Sequence, residues 1–87
     1  MQTTTMQCIH NFFNSGNRFV GVKLTIPNAT GYEVIINPKE NFKEKLAYYK
    51  KTYDENGIHK YVPEIKIVGW ASGDTFQDVQ DGLRRKF

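Results

Sequence analysis

Eighty-seven residues with 39% hydrophobic side chains, six Phe, five Tyr and one Trp suffice for one compact core and not for two, which argues against disorder and against a multidomain chain. Twelve basic and nine acidic residues leave a formal charge of +3, an excess that permits a nucleic-acid partner without requiring one. The lone cysteine, Cys8, excludes an internal disulfide framework and fits a reducing compartment.

Thr3 to Phe13 is open to two readings. Thr3-Thr4-Thr5 favours a strand, and Asn14-Ser15-Gly16-Asn17 is a turn cluster. Cys8, Ile9, Phe12 and Phe13 also fit a short helical stripe, with Thr5 as cap and Gly16 as stop. Because a clear strand follows the turn, a hairpin is favoured. That next segment, Phe19 to Ile26, alternates: Val20, Val22, Leu24 and Ile26 point one way, and Gly21, Lys23 and Thr25 the other. Pro27-Asn28-Ala29-Thr30-Gly31 reads as a turn rather than a glycosylation acceptor, and Tyr32 to Ile36 as the third strand.

A helix over roughly Pro38 to Glu55 follows. Asn37 is placed to cap it, Pro38 to open it, Glu40 to close a capping box and Gly57 to stop it. Phe42, Leu46, Tyr49 and Tyr53 form its apolar face. Asn56 to Pro63 is a loop carrying His59, Lys60 and Tyr61. Ile65, Ile67, Val68 and Trp70 mark a last strand, where Gly69 allows a bulge. Ser72-Gly73-Asp74-Thr75 opens a second helix, capped by Asp74 with Gln77 or by Thr75 with Asp78, with Phe76, Val79, Leu83 and Phe87 on one face. The pattern predicts one α+β domain over residues 1–87: a four-stranded antiparallel sheet with two helices on one face, in the order β-β-β-α-β-α.

The opposite sheet face would then stay open. Phe19, Ile35, Val68 and Trp70 are expected to form an apolar patch there, covered by a second copy in a homodimer or by a docked partner with Trp70 at its centre.

Catalytic and metal chemistry have little to stand on. Cys8 and His10 would share a strand face, but with His59 they make only three Cys and His residues, short of a structural zinc set. They also lack an orienting group for nucleophilic work. Gly69 to Asp74 leads from strand to helix as phosphate loops do, yet it has no phosphate-binding lysine and puts Asp74 where an anion would sit. Glu40/Glu44 and Asp74/Asp78 read as solvated helix faces. No enzyme, cofactor or metal site is expected.

Binding surfaces remain. Tyr48, Tyr61, Val68 and Trp70 are the candidate partner-binding residues, since Tyr and Trp are enriched at interface anchors. Lys39, Lys43 and Lys50 form one helical stripe, and with Arg84 and Arg85 they are the alternative, a nucleic-acid surface beside exposed rings. For that alternative the lysines must form one patch not neutralised by Glu40, Glu44 or Asp54. No secretory signal is expected, since the first thirty residues hold no run of roughly 7–15 apolar residues behind a basic start. Nor does any segment reach the roughly 18 apolar residues of a membrane span.

Three stretches carry a resemblance: Ile36-Asn37-Pro38-Lys39-Glu40-Asn41-Phe42, Tyr48-Tyr49-Lys50 with Tyr53-Asp54-Glu55, and Ile67-Val68-Gly69 leading to Gly73-Asp74-Thr75-Phe76. Over the last two-thirds of the chain they resemble small accessory reading frames of phages and prophages from Gram-positive bacteria. The resemblance implies a small protein in the cytoplasm of a bacterial host that acts by binding a host or phage protein. One version is an inhibitor of a bacterial defence system such as an anti-CRISPR. It carries over no functional residue.

Overall fold

Ile9 and Phe13 stand four residues apart and are both buried, and that spacing decides the first element. It is a helix, α1 (Thr5–Phe13). Thr4 rather than Thr5 caps it, its Oγ1 accepting the Gln7 N–H at 3.1 Å. The structure, a computed structural model, describes residues 3–27 and 31–86, with Lys86 described by its backbone alone. The expected turn at Asn28-Ala29-Thr30 and the expected helix-face position of Phe87 lie outside the described residues.

Two strands follow, β1 (Phe19–Thr25) and β2 (Tyr32–Pro38), then α2 (Phe42–Thr52), β3 (Ile67–Gly73) and α3 (Phe76–Lys86). The sheet has three antiparallel strands in the order β2-β1-β3. This corrects the expected four strands and two helices: three strands carry three helices, because the Thr-rich start serves as a helix cap instead of a strand. Burying Ile9 and Phe13 contributes about 1.5–3 kcal/mol each, more than the β preference of three threonines opposes.

The helices are divided between the sheet faces. Val20, Val22 and Leu24 of β1 lie in one buried cluster with Ile9 and Phe13 of α1 and Phe42 and Tyr49 of α2. The residues between them face α3: Phe19 of β1 and Ile36 of β2 pack with Ala71, Val79 and Leu83. Gly21 makes that approach close, since a Cβ there would run into Val79 Cγ1 and stand 3.1 Å from Leu83 Cδ1. Thr75, not Asp74, caps α3, its Oγ1 accepting the Asp78 N–H at 3.1 Å.

Phe19, Ile35, Val68 and Trp70 therefore form no open apolar face. Ile35 and Trp70 pack against the main cluster, Phe19 lies under α3, and Val68 is half-buried. Trp70 is paired across the sheet with Val22, on the α1/α2 side, so the face assignment behind the expected homodimer is reversed. Val68 is also the extra residue of a bulge, because Lys23 pairs with Gly69 while Leu24 pairs with Ile67.

The start of α2 differs as well. Pro38 ends β2, a single 3-10 turn spans Lys39–Asn41, and Asn37 makes no cap. Asn37 is a buried strand residue, 3% exposed. Gly57 is not the helix stop either, since α2 ends at Thr52. It takes φ 79° in a turn where Asp54 Oδ1 accepts the Asn56 and Ile58 N–H groups at 2.8 and 3.0 Å.

Candidate functional site

Lys39, Lys43 and Lys50 line one groove. Lys39 comes from the 3-10 turn, and Lys43 and Lys50 lie two turns apart on α2, so the helix repeat sets them on one side. Phe13 and Asn14 at the end of α1, with Phe42, Leu46 and Ala47 of α2, complete the lining of a concavity of about 540 Å³. Phe13 and Phe42 are buried and meet edge to face with ring centroids 5.1 Å apart, so they are floor rather than wall. Among the described residues no carboxylate forms an ion pair with any of the three lysines, and Glu40 and Glu44 stand exposed beside them.

The remaining predicted basic residues do not join this patch. Arg84 and Arg85 are exposed on α3, which packs on the other face of the sheet. Sequence periodicity thus grouped the α2 lysines and gave no means of relating them to α3. The groove floor escapes sequence reasoning for a related reason: the favoured hairpin puts Phe13 on a strand, although its step of four from Ile9 signals a helix.

The candidate partner-binding residues are scattered. Tyr48 and Tyr61 are 47% and 77% exposed, while Val68 and Trp70 lie in β3 as described. Tyr48 and Tyr61 are the two ends of a chain of touching rings. Tyr48 lies 6.5 Å from Tyr53, Tyr53 lies 5.2 Å from His59, and His59 lies 5.9 Å from Tyr61, all edge to face. His59 is fixed in this chain by its backbone. Its Nδ1 accepts the N–H groups of Tyr61 and Val62 at 3.1 and 3.0 Å, which leaves the proton of the neutral ring on Nε2. Its own N–H donates to Ile65 O at 2.9 Å.

Burial pushes the hydroxyls of Tyr49 and Tyr53 up to about 12. The negative charge of Glu33 adds to the shift of both, and the Asn37 amide beside Tyr49 works against it. That amide stops short of a well-formed bond, for Asn37 Nδ2 has no hydrogen-bond partner among the described residues. Both phenols are neutral at physiological pH.

Cys8 and His10 lie on α1 rather than on a strand, so a two-residue step sends their side chains in different directions. Among the described residues no group of three or more His, Cys, Asp and Glu is placed to hold a metal ion, and no helix is long and apolar enough to cross a membrane. No protein-family model, curated protein or solved structure matches this chain.

Proposed function

We propose that this chain is a non-enzymatic binding protein whose lysine-walled groove takes an acidic, amphipathic segment of a partner protein. The observation that carries this is the combination at one place: three lysines without an ion pair among the described residues, around a floor that includes Phe13, Phe42 and Leu46. An apolar side chain of the partner would fill the floor while flanking Asp or Glu residues meet the ammonium groups, a charge-complementary fit. The groove favours a protein over single-stranded nucleic acid because the rings at its base are buried and offer no face on which a base stacks. The phage-type resemblance makes a host or phage protein the proposed partner class, with inhibition of a bacterial defence system as its specific form.

Nucleic acid is the second reading, and one observation favours it: Lys39, Lys43 and Lys50 line a single groove and make no ion pair with Glu40, Glu44 or Asp54 among the described residues. One experiment separates the two. Fluorescence anisotropy would compare a Glu/Leu amphipathic peptide, a Glu/Ser peptide of equal charge and a single-stranded oligonucleotide, each at low and moderate salt. The protein reading expects the Glu/Leu peptide to bind tightest, and expects Lys39→Glu, Lys43→Glu and Lys50→Glu together to abolish binding. Tightest binding of the oligonucleotide, with a steep salt dependence from counterion release, would replace it with the second reading. Equal binding of the two peptides would remove the groove floor from the account. For the defence-inhibitor form, expression in a host that restricts a phage should restore plaquing, and the triple lysine variant should not; unchanged restriction by the wild-type chain would end that version.

A further inference from the structure

A second concavity lies between the end of α2 and the sheet, independent of the basic groove. Tyr48 and Tyr49 of α2, Tyr53 just past its end and His59 of the following loop form one side of it, and Leu24, Ile35 and Glu33 belong to the other. Its volume is about 230 Å³, below the roughly 300–1,000 Å³ of pockets that enclose drug-sized ligands. Tyr49, Tyr53 and Leu24 are buried and form its depth, while Glu33 and Tyr48 are exposed and stand at its mouth.

The rings are mutually inclined rather than stacked. Tyr48 meets Tyr49 at 65° and Tyr53 at 74°, Tyr49 meets Tyr53 at 50°, and Tyr53 meets His59 at 74°. The rings touch one another, so Tyr48, exposed at the mouth, and the half-buried His59 offer ring surface while Tyr49 and Tyr53 back them. One carboxylate, Glu33, lines the space, and its field also acts on the Tyr49 and Tyr53 hydroxyls. No lysine or arginine is among the residues that line the space. Such a space, with aromatic rings on one side, aliphatic side chains and one carboxylate on the other, and too small for a large ligand, is complementary to a cation with an apolar surface.

We propose that this cavity binds an alkylated ammonium head group, held by cation–π contact with Tyr48 and His59 at its accessible side and by the charge of Glu33. The chain itself supplies a related contact: Lys45 Nζ stands 5.5 Å from the Tyr48 ring centroid. His59 contributes its ring, with the orientation fixed by the two N–H groups donated to Nδ1. Two sources offer this chemistry, a free quaternary ammonium ion and a methylated lysine side chain on another protein.

The test uses choline as the free ion, a short peptide carrying one trimethyllysine as the side-chain source, and the neutral isostere of choline in which carbon replaces nitrogen. Binding is read from the ring proton resonances of Tyr48, Tyr53 and His59 at constant ionic strength. Saturable shifts are expected with choline or the peptide, with the isostere at least about tenfold weaker, and the tighter of the two cations identifies the source. Glu33→Gln and Tyr48→Ala should each weaken binding by about tenfold. Both side chains are exposed, so the circular dichroism of either variant should match the wild type. The variant with Lys39, Lys43 and Lys50 all changed to Ala should bind choline as the wild type does, which separates this site from the basic groove. Equal binding of the isostere, no shift of these rings by either cation, or unweakened binding by both variants would overturn the proposal.

Discussion

Val22 at the centre of β1 stands directly across from Trp70 of β3, and the pair belongs to the side of the sheet that α1 and α2 cover. Trp70 is therefore a packing residue of the monomer. Trp70→Ala should cost about 3 kcal/mol of folding stability, at the lower end for aromatic truncation because the ring is only partly buried. Urea titration measures the loss. A variant with wild-type stability and an altered sedimentation coefficient would return Trp70 to an assembly role.

On the other side of the sheet, Gly21 leaves room for Val79 and Leu83 of α3. Adding one methyl group at Gly21 has no space to occupy, so Gly21→Ala should destabilise by about 1–3 kcal/mol. Combining it with Val79→Ala should cost less than the sum of the two single changes, because the smaller side chain relieves the overlap. Additive losses in thermal melts would show that the clash is not the cause.

Tyr49 and Tyr53 give the fold an alkaline limit. Their hydroxyls ordinarily titrate near 10 and are held to about 12 in the folded chain. Over that interval the unfolded chain loses protons that the folded chain keeps, so stability is complete below about pH 10 and falls as pH rises towards 12. Denaturation midpoints between pH 9 and about pH 11.5 should show this decline, and Tyr49→Phe with Tyr53→Phe should flatten it. An unchanged slope in the double variant would place the alkaline loss elsewhere.

Lys39, Lys43 and Lys50 are exposed and make no ion pair among the described residues. Changing each to Ala should leave stability within about 0.5 kcal/mol of the wild type. Denaturation of the three single variants checks this, and a loss above about 1 kcal/mol for any of them would mark that lysine as structural.

Thr25 ties the end of β1 to the loop before β3. Its Oγ1 donates to Glu64 O at 2.7 Å and accepts the Lys66 N–H at 2.9 Å. Thr25→Val keeps the shape and removes both bonds, for an expected cost of about 1–3 kcal/mol. Thr25→Ser should retain most of the stability, and equal losses for the two variants would assign the effect to packing.

Much of the local structure was legible in the sequence. The alternation of Phe19 to Ile26, the β-branched run at Tyr32 to Ile36 and the four-three-four spacing of Phe42, Leu46, Tyr49 and Tyr53 each name an element, because they report burial on one repeat. The stripe of Lys39, Lys43 and Lys50 was legible for the same reason. What sequence periodicity could not supply was which element faces which. Thr3 to Phe13 satisfied both repeats, and the contacts of Ile9 and Phe13 with α2 and the sheet settled it. Val79 and Leu83 announced a buried face without saying which side of the sheet would bury it. Small side chains at Gly21 and Ala71 made the second side available. Asn37 looked like a cap beside Pro38, yet strand pairing with Val20 carried it into the interior. The aromatic cavity joins residues from β1, β2, α2 and a loop, and no local repeat links them.

The position of β1 between β2 and β3 also orders the assembly of the chain in time. β2 follows β1 after a short connection, so that pair closes at little entropic cost, whereas Thr25 and Lys66 are 41 residues apart. Docking of β3 is the slow, non-local step, and the surface under α3 lacks Ala71 until it is complete. The carboxy-terminal helix and its cluster should therefore acquire protection from hydrogen exchange after the β1–β2 pair during refolding, as a second event on an already paired hairpin.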